Sequence, residues 1–146
     1  MTSNRDEIVF GGLDGLTSAL GVMAGAYLAN ARAKTVLITG LGLAIAAAVS
    51  MAGGEALSDE EADGRIVRAA YMGGATLVGS FLPIAGFIFD RRAGLVFCIV
   101  ITVCVGATVA HLRPGAWWPS IVKTFAVLAV AAGLSVVAAV AMGATG

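Results

Sequence analysis

The sequence predicts an all-α integral membrane bundle of five transmembrane helices, and three observations carry that expectation. The chain has 146 residues, 59% of them hydrophobic, with a mean hydropathy of +0.95. A soluble domain of this length has too small an interior to bury so much apolar surface. Only 12% of the residues are charged, about half the share usual in soluble domains. Those charges cut the chain into five apolar runs, at about 8–29, 36–57, 69–89, 94–112 and 120–142. Each is near the roughly 20 residues a helix needs to cross a hydrocarbon core. Runs this long, with no alternation of polar and apolar positions, exclude a membrane β-barrel. A single membrane domain over residues 1–146 follows, with the lipid bilayer as its first partner.

The first run reads IVFGGLDGLTSALGVMAGAYLA and holds Asp14 inside it. The residues before it, MTSNRDEIVF, mix acids with an arginine and lead straight into the long run. A cleavable signal peptide has a basic start and a shorter apolar core. The second run ends in SMAGGEALS, with Met51 and Glu55 four residues apart. The connection at 58–68, SDEEADGRIVR, places Asp59, Glu60, Glu61 and Asp63 ahead of Arg65 and Arg68. Acids suit the positive end of a helix dipole, so they are expected to cap the third helix, with a cation-capture site as the alternative.

In the third run, Pro83 and Gly86 predict a kink and a hinge. The fourth holds Cys98 and Cys104, six apart, which a helix sets roughly 120° from a shared face. They predict neither a disulfide nor a metal pair, but two small packing residues. His111, the one histidine, closes this run and reads as structural. The connection at 114–119 carries Trp117 and Trp118, whose rings suit the headgroup level. The fifth run completes the bundle.

An odd number of spans puts the termini on opposite sides. Arg5, Arg65, Arg68, Arg113 and Lys123 then share one side, and Arg32, Lys34, Arg91 and Arg92 the other. Five against four is too even for the positive-inside rule to set the orientation. The net charge of zero, with no basic run, gives nucleic acid no reason to bind.

Asp14 is the residue that points to function. A carboxylate inside a span costs roughly 2.5–3.5 kcal/mol on insertion scales, so it faces a partner, a cavity or an ion path. Gly12 and Gly15 flank it, loosening the helix and opening backbone carbonyls to an ion or water. The bland alternative is an acid near enough to the boundary to reach the headgroups. Met51 and Glu55, at i and i+4, share a helix face. A thioether with carboxylates suits a first-row divalent metal better than Mg²⁺ or Ca²⁺. The expected metal-handling residues are therefore Asp14, Met51 and Glu55.

Thr17, Ser18 and Ser80 read as ordinary membrane hydroxyls. No nucleophile–base pattern, zinc spacing or phosphate loop stands in the sequence, so a non-enzymatic role without a tightly bound cofactor is expected. Gly11 with Gly15, and Gly21 with Gly25, repeat a four-residue spacing that lets helix backbones approach. They predict either packing within one chain or a dimer seam. Five thin helices enclose little room for a polar path, which a homodimer with facing first helices would supply.

The segments VFGGLDGLTSALGVMAGA at 9–26 and AAAVSMAGGEALS at 46–58 resemble the first two helices of the vacuolar iron transporter family. That family includes Ca²⁺-sensitive cross-complementer and nodulin-like members. Its first-helix FG-x-x-DG-L pattern is read at 10–16 and its second-helix SMA-x-GE pattern at 50–55. The resemblance implies a homodimeric transporter that moves Fe²⁺, and often Mn²⁺, out of the cytoplasm in exchange for protons. It implies a path at the dimer interface lined by the first helix, with the family's Asp, Met and Glu at Asp14, Met51 and Glu55. It also implies a cytoplasmic N-terminus and second connection, in a membrane that the Ala/Gly/Val-rich composition suggests is the bacterial cytoplasmic one. The sequence departs from the family in two places. Leu13 stands where an Asn is usual, and the short 58–68 connection leaves no room for the Glu-rich cytoplasmic domain of many members, a lack shared by nodulin-like ones.

The sequence reading is thus a homodimeric antiporter with Fe²⁺ or Mn²⁺ as transported substrate. The competing classes are a non-transporting assembly or metal-sensing subunit and an exporter of organic cations. The last would want aromatic walls, and the first two spans offer only Phe10 and Tyr27.

Overall fold

A computed structural model describes residues 4–58, 64–112 and 117–143. These residues form five long helices: α1 (Asn4–Leu28), α2 (Ala33–Ser58), α3 (Arg65–Ala85), α4 (Arg91–Leu112) and α5 (Trp117–Ala141). All five are long and apolar enough to cross a membrane. They run past the apolar stretches into polar flanks. Asn4–Glu7, Lys34 and Thr35, Arg65 and Arg68, and Arg91 and Arg92 are all helical. Hydropathy marks the thickness of hydrocarbon, whereas a helix continues for as long as its backbone bonds are favourable.

The bundle is built around α1, which packs against all four other helices and most extensively against α3. The next largest contact joins α2 to α3, while α5 lies chiefly on α1 and α4. Much of what meets in the interior is small or hydroxylic: Ala19, Ala44, Thr76, Ser80 and Thr124 are fully buried, beside a few large apolar side chains such as Leu16 and Ile84. Large apolar side chains such as Phe10, Ile38, Val49, Val78 and Val130 point outward. In water this would be inverted. Lipid tails are as apolar as a side chain, so association rests on close backbone packing, which small residues permit.

The α1–α3 contact shows this most clearly. A Cβ on Gly15 would collide with the Thr76 carbonyl oxygen and stand 2.7 Å from the Ser80 nitrogen. On the facing helix, a Cβ at Gly79 would lie 2.7 Å from the Gly12 oxygen. The Gly11/Gly15 spacing is thus used inside one chain, which decides between the two readings of that pair. Gly21 faces Ser135 of α5, and Gly25 has no atom within 4 Å of where its Cβ would be.

Two expectations are refined, and a third is not tested. Pro83 lies within α3, and the winding tightens only afterwards, in a 3-10 turn at Gly86–Ile88. Gly86 sits there against the Phe97 ring, where a Cβ would approach within 2.7 Å of ring carbons. Trp117 and Trp118 belong to the first turn of α5 rather than to a loop, their ring centroids 5.5 Å apart. Pro119 follows in that turn, where its missing N–H costs no helical bond. The described cap of α3 is Gly64, at φ 79° and with no side-chain cap bond. The acids Asp59, Glu60, Glu61 and Asp63 lie outside the described residues.

At the far end, Asn30 takes a left-handed φ of 53° and turns the chain into α2. Arg91 holds this corner: its guanidinium donates to Asn30 Oδ1 at 2.7 Å and to the Tyr27 carbonyl at 2.5 Å, and stacks 4.5 Å over the Tyr27 ring. Of the two cysteines expected to pack, Cys98 is buried whereas Cys104 is exposed, because the two stand on different faces of α4. His111 is exposed in the last turn of α4.

Candidate functional site

Where α1 begins, α2 ends and α3 begins, three charged side chains among the described residues meet. Arg68 donates from Nε to Glu55 Oε1 at 3.0 Å, and the same nitrogen lies 3.9 Å from Glu7 Oε1. Glu7 is only 6% exposed, and its Oε2 is buried with no hydrogen-bond partner among the described residues. Sequence reasoning misses Glu7, because it stands before the apolar run and reads as part of a polar tail. A signal is nevertheless present: Glu7 stands seven residues before Asp14, two helical turns along the same face. Arg68 enters the sequence reading only through its charge, since nothing local links it to Glu55 across the loop.

Asp14 lies about 10 Å further along α1 than Glu7. It is half-buried, and its backbone carbonyl accepts from Thr17 Oγ1 at 2.9 Å. Among the described residues, none hydrogen-bonds or ion-pairs with the Asp14 carboxylate. Phe10, Asp14, Gly21 and Gly25 follow one another at helical spacing on one side of α1. Phe10 is 60% exposed and Gly25 is uncontacted, so this side is open at both ends. Beside it, Thr17 and the α5 residues Val127, Val130 and Leu134 line an apolar groove of about 490 Å³.

Met51 and Glu55 are both half-buried on α2, one turn apart. The structure joins Glu55 to the Glu7–Arg68 cluster. Among the described residues, no group of three or more His, Cys, Asp or Glu side chains of one chain is placed to hold a metal. Thr76 and Ser80 bond back to the carbonyls of Met72 and Thr76, four residues earlier. They are packing hydroxyls, as expected for Ser80.

The sequence model of the VIT family matches residues 6–64. That stretch holds α1, α2 and the start of the following connection, and so includes Glu7, Asp14, Met51 and Glu55. The resemblance to vacuolar iron transporters therefore holds over the part of the chain that carries both motifs. No curated protein matches the chain.

Proposed function

We propose, from a first half that carries the VIT-family pattern, that this integral membrane protein transports divalent transition metal, Fe²⁺ first and Mn²⁺ second. The observation that supports this best is Asp14: a carboxylate within an apolar span, half-buried, without a partner in its own chain among the described residues, and on a side of α1 open at both ends. Such a group is too costly to leave facing lipid. A second copy, set with its own α1 against this one, would bring two Asp14 carboxylates together. With Met51 from each α2, the pair would offer oxygen and sulfur ligands suited to a first-row ion. Glu55 and Glu7, at the end where α1 starts, would form the mouth of the path and strip hydration from the arriving metal. The family resemblance implies that this end is cytoplasmic and that transport runs outward.

Proton exchange follows from the same pair. Two facing carboxylates without metal share a proton, because like charges so close do not both ionise. Metal arrival would expel it, and release on the far side would let a proton return. Flux insensitive to an imposed proton gradient would sink this part of the proposal.

The test is Fe²⁺ and Mn²⁺ uptake into proteoliposomes by wild type, Asp14→Ala and Met51→Ala. Saturable flux lost in both variants, with association intact, supports the site. Absence of wild-type flux above empty liposomes, with folded protein, favours the assembly or sensing class instead.

A further inference from the structure

Arg68 occupies the mouth of the proposed path, and its geometry is that of a lodger rather than a fixed strut. Two carboxylates, Glu7 and Glu55, face one guanidinium. The Nε makes a good bond to Glu55 at 3.0 Å and stands outside bonding distance of Glu7 at 3.9 Å. Glu7 Oε2 is buried and has no donor among the described residues. A buried carboxylate oxygen is normally hydrogen-bonded, and leaving it bare is costly. Glu7, Glu55 and Arg68 by themselves carry two negative charges and one positive. A planar fork fixed by its own angles does not reach both acids well.

We propose that Arg68 is a tethered counter-ion that a divalent metal displaces from between Glu7 and Glu55, so that it selects divalent over monovalent cations at the mouth. This rests on the transporter reading, in which Glu55 faces the path. A divalent ion between the two acids balances both charges and gives the bare Glu7 oxygen a ligand bond. A monovalent ion brings no more charge than the guanidinium already there. It must also compete with a group anchored on α3, whose effective concentration is on the order of millimolar or higher. The displaced head has somewhere to go: the Arg68 side chain is 19% exposed, and its long apolar stem lets the charge swing toward water. The same exchange moves a positive charge out of the mouth as the metal enters, easing the metal's passage toward Asp14.

The proposal is tested by Mn²⁺ binding, followed by electron paramagnetic resonance, and by Mn²⁺ uptake. Wild type, Arg68→Gln and Arg68→Lys are compared. Arg68→Gln is expected to bind Mn²⁺ about fivefold tighter or more, since it removes the tethered competitor. K⁺ should then inhibit its uptake, while wild type and Arg68→Lys resist. Free guanidinium should weaken Mn²⁺ binding in Arg68→Gln back toward the wild-type value. Unchanged or weaker binding by folded Arg68→Gln overturns the proposal.

Should Arg68→Gln fail to fold, the wild-type protein answers alone. Phenylglyoxal labelling of Arg68, read by mass spectrometry, should rise when Mn²⁺ is added. Protection or no change overturns displacement. Wild-type flux with unchanged Arg68 labelling removes only this inference, whereas wild type that neither binds nor transports Mn²⁺ removes the transporter reading with it.

Discussion

At the scale of the residue, Asp14 sets function against stability. Asn keeps the shape and removes the charge, and with it the roughly 2.5–3.5 kcal/mol cost of a carboxylate at this depth. Asp14→Asn should therefore raise the melting temperature in detergent while abolishing saturable Fe²⁺ and Mn²⁺ uptake. A variant that transports like wild type would show that the charge plays no part in conduction. Glu7 belongs to an earlier step. It is buried about two turns before Asp14, and in the proposed path it would meet metal first. Glu7→Gln should raise KM for Mn²⁺ several-fold with little change in kcat, the mark of lost binding that ground and transition states share. A fall in kcat at constant KM would place Glu7 in the translocation step instead.

At the scale of the element, the α1–α3 contact is where the fold is most exacting. Gly15→Leu drives a side chain into the backbone of Thr76 and Ser80. Overpacking of this kind costs about 1–3 kcal/mol, and here both facing groups are main chain and cannot rotate away. A clear drop in thermal stability is expected, and an unchanged melting curve would refute the contact. Arg91→Ala should cost less, about 1 kcal/mol, because its bonds to Asn30 and Tyr27 are exposed to solvent. The loss should appear as faster amide exchange at the α1–α2 corner. What the sequence can and cannot foretell divides along the same line. Five spans are legible because run length and charge breaks are local properties. Met51 and Glu55 on one face are legible from helical spacing. The pairing of Arg68 with Glu55 and Glu7 is not, because it depends on how three helix ends meet. Nor is the use of Gly11 and Gly15, since a small-residue spacing does not say which helix it receives. Glu7 escapes notice for a simpler reason: hydropathy ends where the helix does not.

At the scale of the whole molecule, the side of the central helix that holds Asp14 meets α5 at Gly21 and is open at its two ends, Phe10 and Gly25. Gly25 lies on it with no atom within 4 Å of where its Cβ would be. This permits a substitution that separates folding from association. Gly25→Leu adds bulk where the chain has room for it, so a single copy should melt as wild type does. Between two copies with facing first helices, the same Leu would hold the backbones apart and separate the Asp14 pair. The expected outcome is loss of the dimer, seen by light scattering or by photobleaching of single labelled molecules in bilayers, together with loss of metal uptake. Phe10, 60% exposed at the other end of that side, supplies the geometric control. In a background with Cys98 and Cys104 replaced by Ala, Phe10→Cys should form an intermolecular disulfide under mild oxidation, and adding Gly25→Leu should suppress it. If Gly25→Leu instead associates, cross-links and transports as wild type does, the open side of α1 is not where two copies meet. Asp14 would then need a partner of another kind, which is the prediction of the assembly-subunit class.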